Sequence, residues 1–263
     1  DIARFSMILF LASYIDNNYK YMQQFVKGLV IPLLAISPIA FMVIIQPDNS
    51  TTLILLMIAF TLLFVGGVSF FQLATIGVLS VGTIGIFILN EKNYALGRIL
   101  SFIDPSSSAS IGYQSNQALI GLKQGGWTGM GIGESIQKYS YLPETHTDFI
   151  FAIIGEEMGF ITGSILMLVY YIIFYRAVQI SKRSNDIFGI MLSIGFGLSI
   201  TIYAFINIGV VIGIIPVTGV PLPFVSYGGS SLIINLMMVA ILLNISKAQR
   251  KLNVKRWRLR VNA

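Results

Sequence analysis

From Lys138 to Gly159 the chain reads KYSYLPETHTDFIFAIIGEEMG, a polar segment carrying Lys138, Glu144, His146 and Asp148 that passes abruptly into the apolar start of a helix. His146 is the single histidine of a sequence that is 55% hydrophobic and 11% charged, so acid–base chemistry has its reagents here. Asp148 stands just before Phe149-Ile150-Phe151, where a carboxylate held at a membrane surface could accept a proton from a sugar hydroxyl. The competing reading is structural: Thr147 or Asp148 caps the helix by accepting from its first free N–H groups. His146 titrates near neutrality but serves equally as a hydrogen-bonding loop residue. Glu144, beside Pro143, reads as a loop anchor, although its spacing from Asp148 lets both carboxylates reach one ion or one substrate.

Other residues could assist. Arg98 and Lys138 are cations suited to an anionic ligand such as a pyrophosphate, or are solvated loop charges. Glu156 and Glu157 lie two turns into the helix, where an unpaired charge costs several kcal/mol; they must be paired, protonated or turned to water, and read as structural or cavity-lining. The run Gly125-Gly126-Trp127-Thr128-Gly129-Met130-Gly131-Ile132-Gly133 contains GxGxG, but it follows no strand and lacks the Lys-Ser/Thr of a phosphate loop, so no nucleotide is expected. Its glycines let the loop turn sharply and fold back on the membrane surface. Pro221 to Ser231, PLPFVSYGGSS, joins a stiff turn to a stretch of small residues; these allow close helix packing, or present hydroxyls and amides to a lipid headgroup.

The elements that must position these groups are membrane spans. With 263 residues and a mean hydropathy of +0.80, the chain contains several apolar runs near the roughly 20 residues needed to cross a hydrocarbon core. The reading is all-α, a polytopic transmembrane helical bundle forming one domain. It has about seven spans, at 2–15, 28–45, 51–65, 70–89, 149–175, 187–215 and 232–245. One long polar loop covers about 90–147, too long for a simple connector, and a basic tail covers 246–263. Pro32 and Pro38 are expected to kink the second span. The absence of cysteine excludes disulfides and thiolate chemistry, and a lone histidine leaves carboxylates as the main metal ligands. Lys182, Arg183 and the run Lys247 to Arg260 place those ends in the cytoplasm, which puts the 90–147 loop and its polar cluster outside. The 17 Lys+Arg against 11 Asp+Glu follow from that topology, and the basic tail fits anionic lipid better than nucleic acid.

Taken together and in order, several motifs resemble the SEDS family (shape, elongation, division and sporulation), represented by FtsW, RodA and SpoVE. They are Gln46-Pro47-Asp48, Arg98 to Pro105, Gly112-Tyr113-Gln114 with Gln117, Ser135 to Lys138, Tyr141 to Ala152, Gly155-Glu156-Glu157 and Phe224 to Ser231. The Ser135 and Tyr141 segments look more like the FtsW/SpoVE branch, while Thr218 to Pro223 leans towards RodA. The resemblance implies a peptidoglycan glycosyltransferase that polymerises lipid II on the outer face of the bacterial cytoplasmic membrane, in a fold of about ten spans. About three spans would then precede Asp1, whose Asp1-Ile2-Ala3-Arg4 looks like the end of a motif opening the fourth. It further implies Asp148 as catalytic base, with Arg98, Gln114, Gln117, Lys138, Glu144, His146, Ser226, Tyr227 and Ser230 towards the substrate. A divalent cation, Mg2+ or Mn2+, is a possible cofactor. The implied partners are lipid II, an undecaprenyl-pyrophosphate-linked glycan, a class B penicillin-binding protein and other divisome or elongasome proteins. Two rivals are a lipid II flippase and a non-catalytic scaffold that recruits the transpeptidase.

Overall fold

The computed structural model describes residues 1–46, 49–78, 111–140 and 147–261. Among the described residues every regular element is helical. In chain order these are α1 (Ile2–Asn18), a 3-10 turn (Tyr19–Tyr21), a π-helical turn (Phe25–Val30) leading into α2 (Ile31–Ile45), α3 (Asn49–Val65) and the helical residues 70 to 78, here α4. Then come α5 (Ile111–Gly125), α6 (Ile136–Ser140), α7 (Ile150–Arg183), α8 (Ile187–Val211) and α9 (Gly229–Val261). Among the described residues four stretches are long and apolar enough to cross a membrane: Phe25–Val43, Ile150–Arg183, Ile187–Val211 and Gly229–Ala248; Ser50–Val65 is a shorter apolar helix.

The central post is α8, which packs against α7, α1, α3, α9 and α5. Glycine lets its neighbours approach closely. A Cβ on Gly195 would meet Ile8 Cγ2 at 2.6 Å, and one on Gly197 would meet Ala177 Cβ at 2.2 Å. Between apolar helices in lipid, such contact is the main source of association. The Phe5 and Phe196 rings stack at 5.4 Å, joining α1 to α8. Asp186 opens α8 by accepting from Gly189 N at 2.7 Å. Gly213 closes it at φ 75°, with Gly213 N donating to Val210 O and Ile214 N to Gly209 O. That paired closure is the Schellman arrangement, and it ends the helix at Val211, short of the expected 215.

Other boundaries also differ from expectation. The expected 28–45 span begins earlier, in the π-helical turn. Its Pro38 removes a donor for Leu34 O, and Ser37 Oγ supplies the replacement at 2.8 Å. The polar stretch 90–147 is not loop throughout, since it holds α5 and α6. The last helix begins at Gly229 and runs on to Val261, so most of the expected tail is helical; Lys, Arg and Leu are good helix formers. The expected 149–175 span extends to Arg183 but is interrupted at Gly159 (φ 77°, ψ 179°). Residues 79–89 of the fourth expected span, Pro47 and Asp48, and the segment Arg98 to Pro105 lie outside the described residues.

Candidate functional site

Asp148 sits at the N-terminal end of α7, half-buried. The N-cap position of α7 is Phe149, and no side-chain capping bond is made there. Asp148 immediately precedes that position. Its backbone is held from outside the helix. Asn207, one turn from the end of α8 and 1% exposed, donates through Nδ2 to Asp148 O at 2.7 Å and to Val220 O at 2.7 Å. Ser226 Oγ donates to Thr147 O at 2.5 Å and accepts from Leu222 N at 2.7 Å. The N-terminal ends of α7 and α9 and the C-terminal end of α8 thus meet at one end of the bundle. The basic C-terminal turn of α7, with Lys182 and Arg183, lies at the other.

The turn that brings Ser226 here is itself braced. Tyr170, buried in α7, donates from its hydroxyl to Pro223 O at 2.5 Å, and Val220 and Leu222 are buried. Phe224 adopts φ 66°, alone among the described non-glycine residues in having positive φ. A bulky residue costs about 1–3 kcal/mol there and persists where its surroundings over-determine it, as they do at functional sites.

A second polar core fixes α5 and α6. Glu156 is fully buried; it accepts from Ser135 Oγ in a short bond and from Ile136 N at 3.1 Å. Ser135 Oγ accepts in turn from Lys138 N at 3.2 Å. The charge expected to need pairing is thus matched to the start of α6, and the same bonds set where Lys138 stands. Replacing Glu156 by Ala should leave the Ser135 hydroxyl and Ile136 N without their acceptor and cost on the order of 3 kcal/mol; Gln should cost about 1. Thermal unfolding of the purified protein in detergent measures both.

Of the residues expected at the site, Asp148 and Ser226 are brought together. Ser226 directs its one proton at Thr147 rather than outward. Tyr227 is 84% exposed and Ser230 is exposed on the first turn of α9. Gln114 and Gln117 are half-buried on α5 and Lys138 is exposed on α6. α5 approaches α7 closely at Gly121, Leu122 and Gly125, on the turns beyond the two glutamines. Arg98, Glu144 and His146 lie outside the described residues.

Two features went without a role in the sequence reading. Asn207 is one; the signal for it is a single amide deep in an apolar span, which must find partners. The other is Arg4, buried in α1. It pairs with Asp1 at 3.2 Å, donates to Asn235 Oδ1 at 2.9 Å and lies over the Tyr203 ring at 4.0 Å. Tyr203 and Asn207 are one turn apart on α8, and the charge of the guanidinium is met by Asp1.

A family model described as "Cell cycle protein" and named for FtsW, RodA and SpoVE matches residues 1–251. Stage V sporulation protein E of Bacillus subtilis is 39% identical over 95% of this chain and 68% of its own length. The probable peptidoglycan glycosyltransferase FtsW of Tolumonas auensis is 38% identical over 95% of this chain and 66% of its own. A solved structure described as "Structural coordination of polymerization and crosslinking by a peptidoglycan synthase complex" superposes with a TM-score of 0.75 at 25% identity, covering 94% of this chain and 68% of that one. The chain thus spans about two thirds of the length of the proteins it matches. On that match, and on the apolar helices described above, this polytopic helical membrane protein belongs to the FtsW/RodA/SpoVE family.

Proposed function

We propose that the protein is a peptidoglycan glycosyltransferase that polymerises lipid II at the outer face of the bacterial cytoplasmic membrane, with Asp148 as general base. The observation that carries this reading is the clamp on Asp148: a carboxylate at the N-terminal end of an apolar helix is held through its backbone at the bundle end opposite the basic helix termini. The relatives named as probable peptidoglycan glycosyltransferases support the reaction class.

In the proposed step, an Asp148 oxygen takes the proton of the acceptor sugar's 4-hydroxyl while that oxygen attacks the donor's anomeric carbon. The new glycosidic C–O bond forms as the bond to the polyprenyl pyrophosphate breaks, and the pyrophosphate leaves with the electron pair. Its growing charge is offset by cations of the chain, for which Lys138 and Arg98 are the candidates. The donor already carries the energy of the reaction, so no nucleotide is required outside the cell. A divalent cation would supply further charge neutralisation when bound. Among the described residues no three acidic or histidine side chains form a cage for one. A class B penicillin-binding protein is the proposed partner, supported by the synthase complex to which the fold is similar.

Vesicles containing the full chain with its transpeptidase partner, supplied with lipid II, separate the readings. The glycosyltransferase yields glycan polymer without needing lipid II to change leaflet. Translocation without polymer would replace it with the flippase reading; neither activity would favour the scaffold.

A further inference from the structure

Asn207 and Ser226 act on the two peptide groups that flank one residue. Ser226 Oγ holds Thr147 O, which belongs to the peptide plane preceding Asp148, and Asn207 Nδ2 holds Asp148 O, which belongs to the plane following it. Peptide groups are planar, so fixing both planes fixes φ and ψ of the residue between them. The direction of the Asp148 Cα–Cβ bond is thereby set without any bond from these two side chains to the carboxylate. Both clamps rest on one support, because Asn207 also holds Val220 O and Ser226 accepts from Leu222 N.

The orientation of the Asn207 amide follows from its partners. Two carbonyl oxygens can be met only by the NH2 group, which leaves Oδ1 buried without a partner among the described residues. An unmatched buried carbonyl costs about 1–3 kcal/mol, a cost retained here for the sake of two donors aimed at Asp148 and its brace.

We propose that Asn207 and Ser226 are positioning residues for the glycosyl transfer, aiming the Asp148 carboxylate by fixing the two peptide planes around it. This rests on the reading of Asp148 as general base. Misplacing a reacting group by about 1 Å can cost about 100-fold, whereas substrate held by other residues should bind as before. The test uses the full chain with its transpeptidase partner and purified lipid II, with rates normalised to folded protein from the thermal transition. Asn207→Ala and Ser226→Ala should each lower kcat by about 10- to 100-fold with KM unchanged, and Ser226→Thr, which keeps the hydroxyl, should retain kcat near wild type. Wild-type kcat in Asn207→Ala and Ser226→Ala would overturn the proposal. So would equal losses in Ser226→Ala and Ser226→Thr, or loss of the folded protein in both alanine variants, since either makes the contacts a matter of shape or structure alone. Asp148→Asn, measured alongside, keeps the two failures apart: a wild-type rate there sinks the base assignment, while an inactive Asp148→Asn with unaffected Asn207 and Ser226 variants sinks only the positioning role.

Discussion

Asp148→Asn lowers glycan polymerisation from lipid II by about 100- to 10 000-fold, the range supplied by a positioned general base, and Asp148→Ala does the same. The asparagine is the sharper probe. It keeps the side chain's size and leaves both backbone clamps in place, because Asn207 and Ser226 hold main-chain oxygens, yet its amide cannot accept the hydroxyl proton. Asparagine serves about as well as aspartate at the start of a helix, so this variant keeps the local hydrogen bonding open to that position. Thermal stability should therefore stay within roughly 1 kcal/mol of wild type, and complex formation with the transpeptidase should persist. Polymer at the wild-type rate from either variant would reduce Asp148 to a structural residue and move the search for the base to Glu144 and His146. Growth and septation supported by Asp148→Asn in cells would favour the scaffold reading.

How much of this was legible beforehand depends on whether the cause is local or tertiary. Spans were legible because lipid requires continuous apolar surface and internally satisfied backbone. Asp148 stood out as a carboxylate at the mouth of an apolar helix, a place that suits a helix cap as well as a proton acceptor. The partners of polar residues were not legible. Asn207 reaches Asp148 across 59 positions and Ser226 reaches Thr147 across 79, and nothing in local pattern encodes either pairing. Glu156 was recognised as too costly to leave alone, but its match, Ser135, is 21 residues away on a segment that reads as polar loop. The α5 helix was missed for a related reason: its Gly, Ser and Gln residues lower its hydropathy, and its stability comes from packing on α7.

The glycine run around Trp127 shows the same limit and carries the largest expected effect on stability. Its glycines were expected to let the loop fold back; what they fold onto is the break in α7. An unbroken helix would pair Phe160 N with Glu156 O and Ile161 N with Glu157 O. At Gly159 those bonds are lost, and the loop replaces all four groups. Phe160 N donates to Gly126 O at 2.9 Å and Ile161 N to Trp127 O at 3.3 Å; Met130 N donates to Glu156 O at 2.9 Å and Gly131 N to Glu157 O at 3.0 Å. In an environment poor in water each unmatched group would cost several kcal/mol, so the break exists only with the loop in place. The fit leaves no room for a side chain. A Cβ on Gly159 would lie 2.4 Å from Gly129 N and 2.5 Å from Trp127 O, and one on Gly129, itself at φ 84°, would lie 2.2 Å from Glu157 O. All three are backbone atoms that cannot swing aside. The backbone at Gly159 is moreover in a region essentially confined to glycine. Gly159→Ala and Gly129→Ala should each cost at least about 3 kcal/mol, a large part of the 5–15 kcal/mol that holds a typical domain together, and yield little folded protein by size-exclusion chromatography in detergent. Gly126→Ala is the control: φ is positive (53°) but no atom lies within 4 Å of its Cβ, so only the backbone term of about 1 kcal/mol applies. If all three variants behaved alike, the loop would not be what sustains the break. The directional consequence reaches the site, because the segment preceding Gly159 carries Asp148 at its tip. A helix allowed to straighten would swing that tip away from Asn207 and Ser226, so any folded fraction of Gly159→Ala should polymerise poorly even per folded molecule.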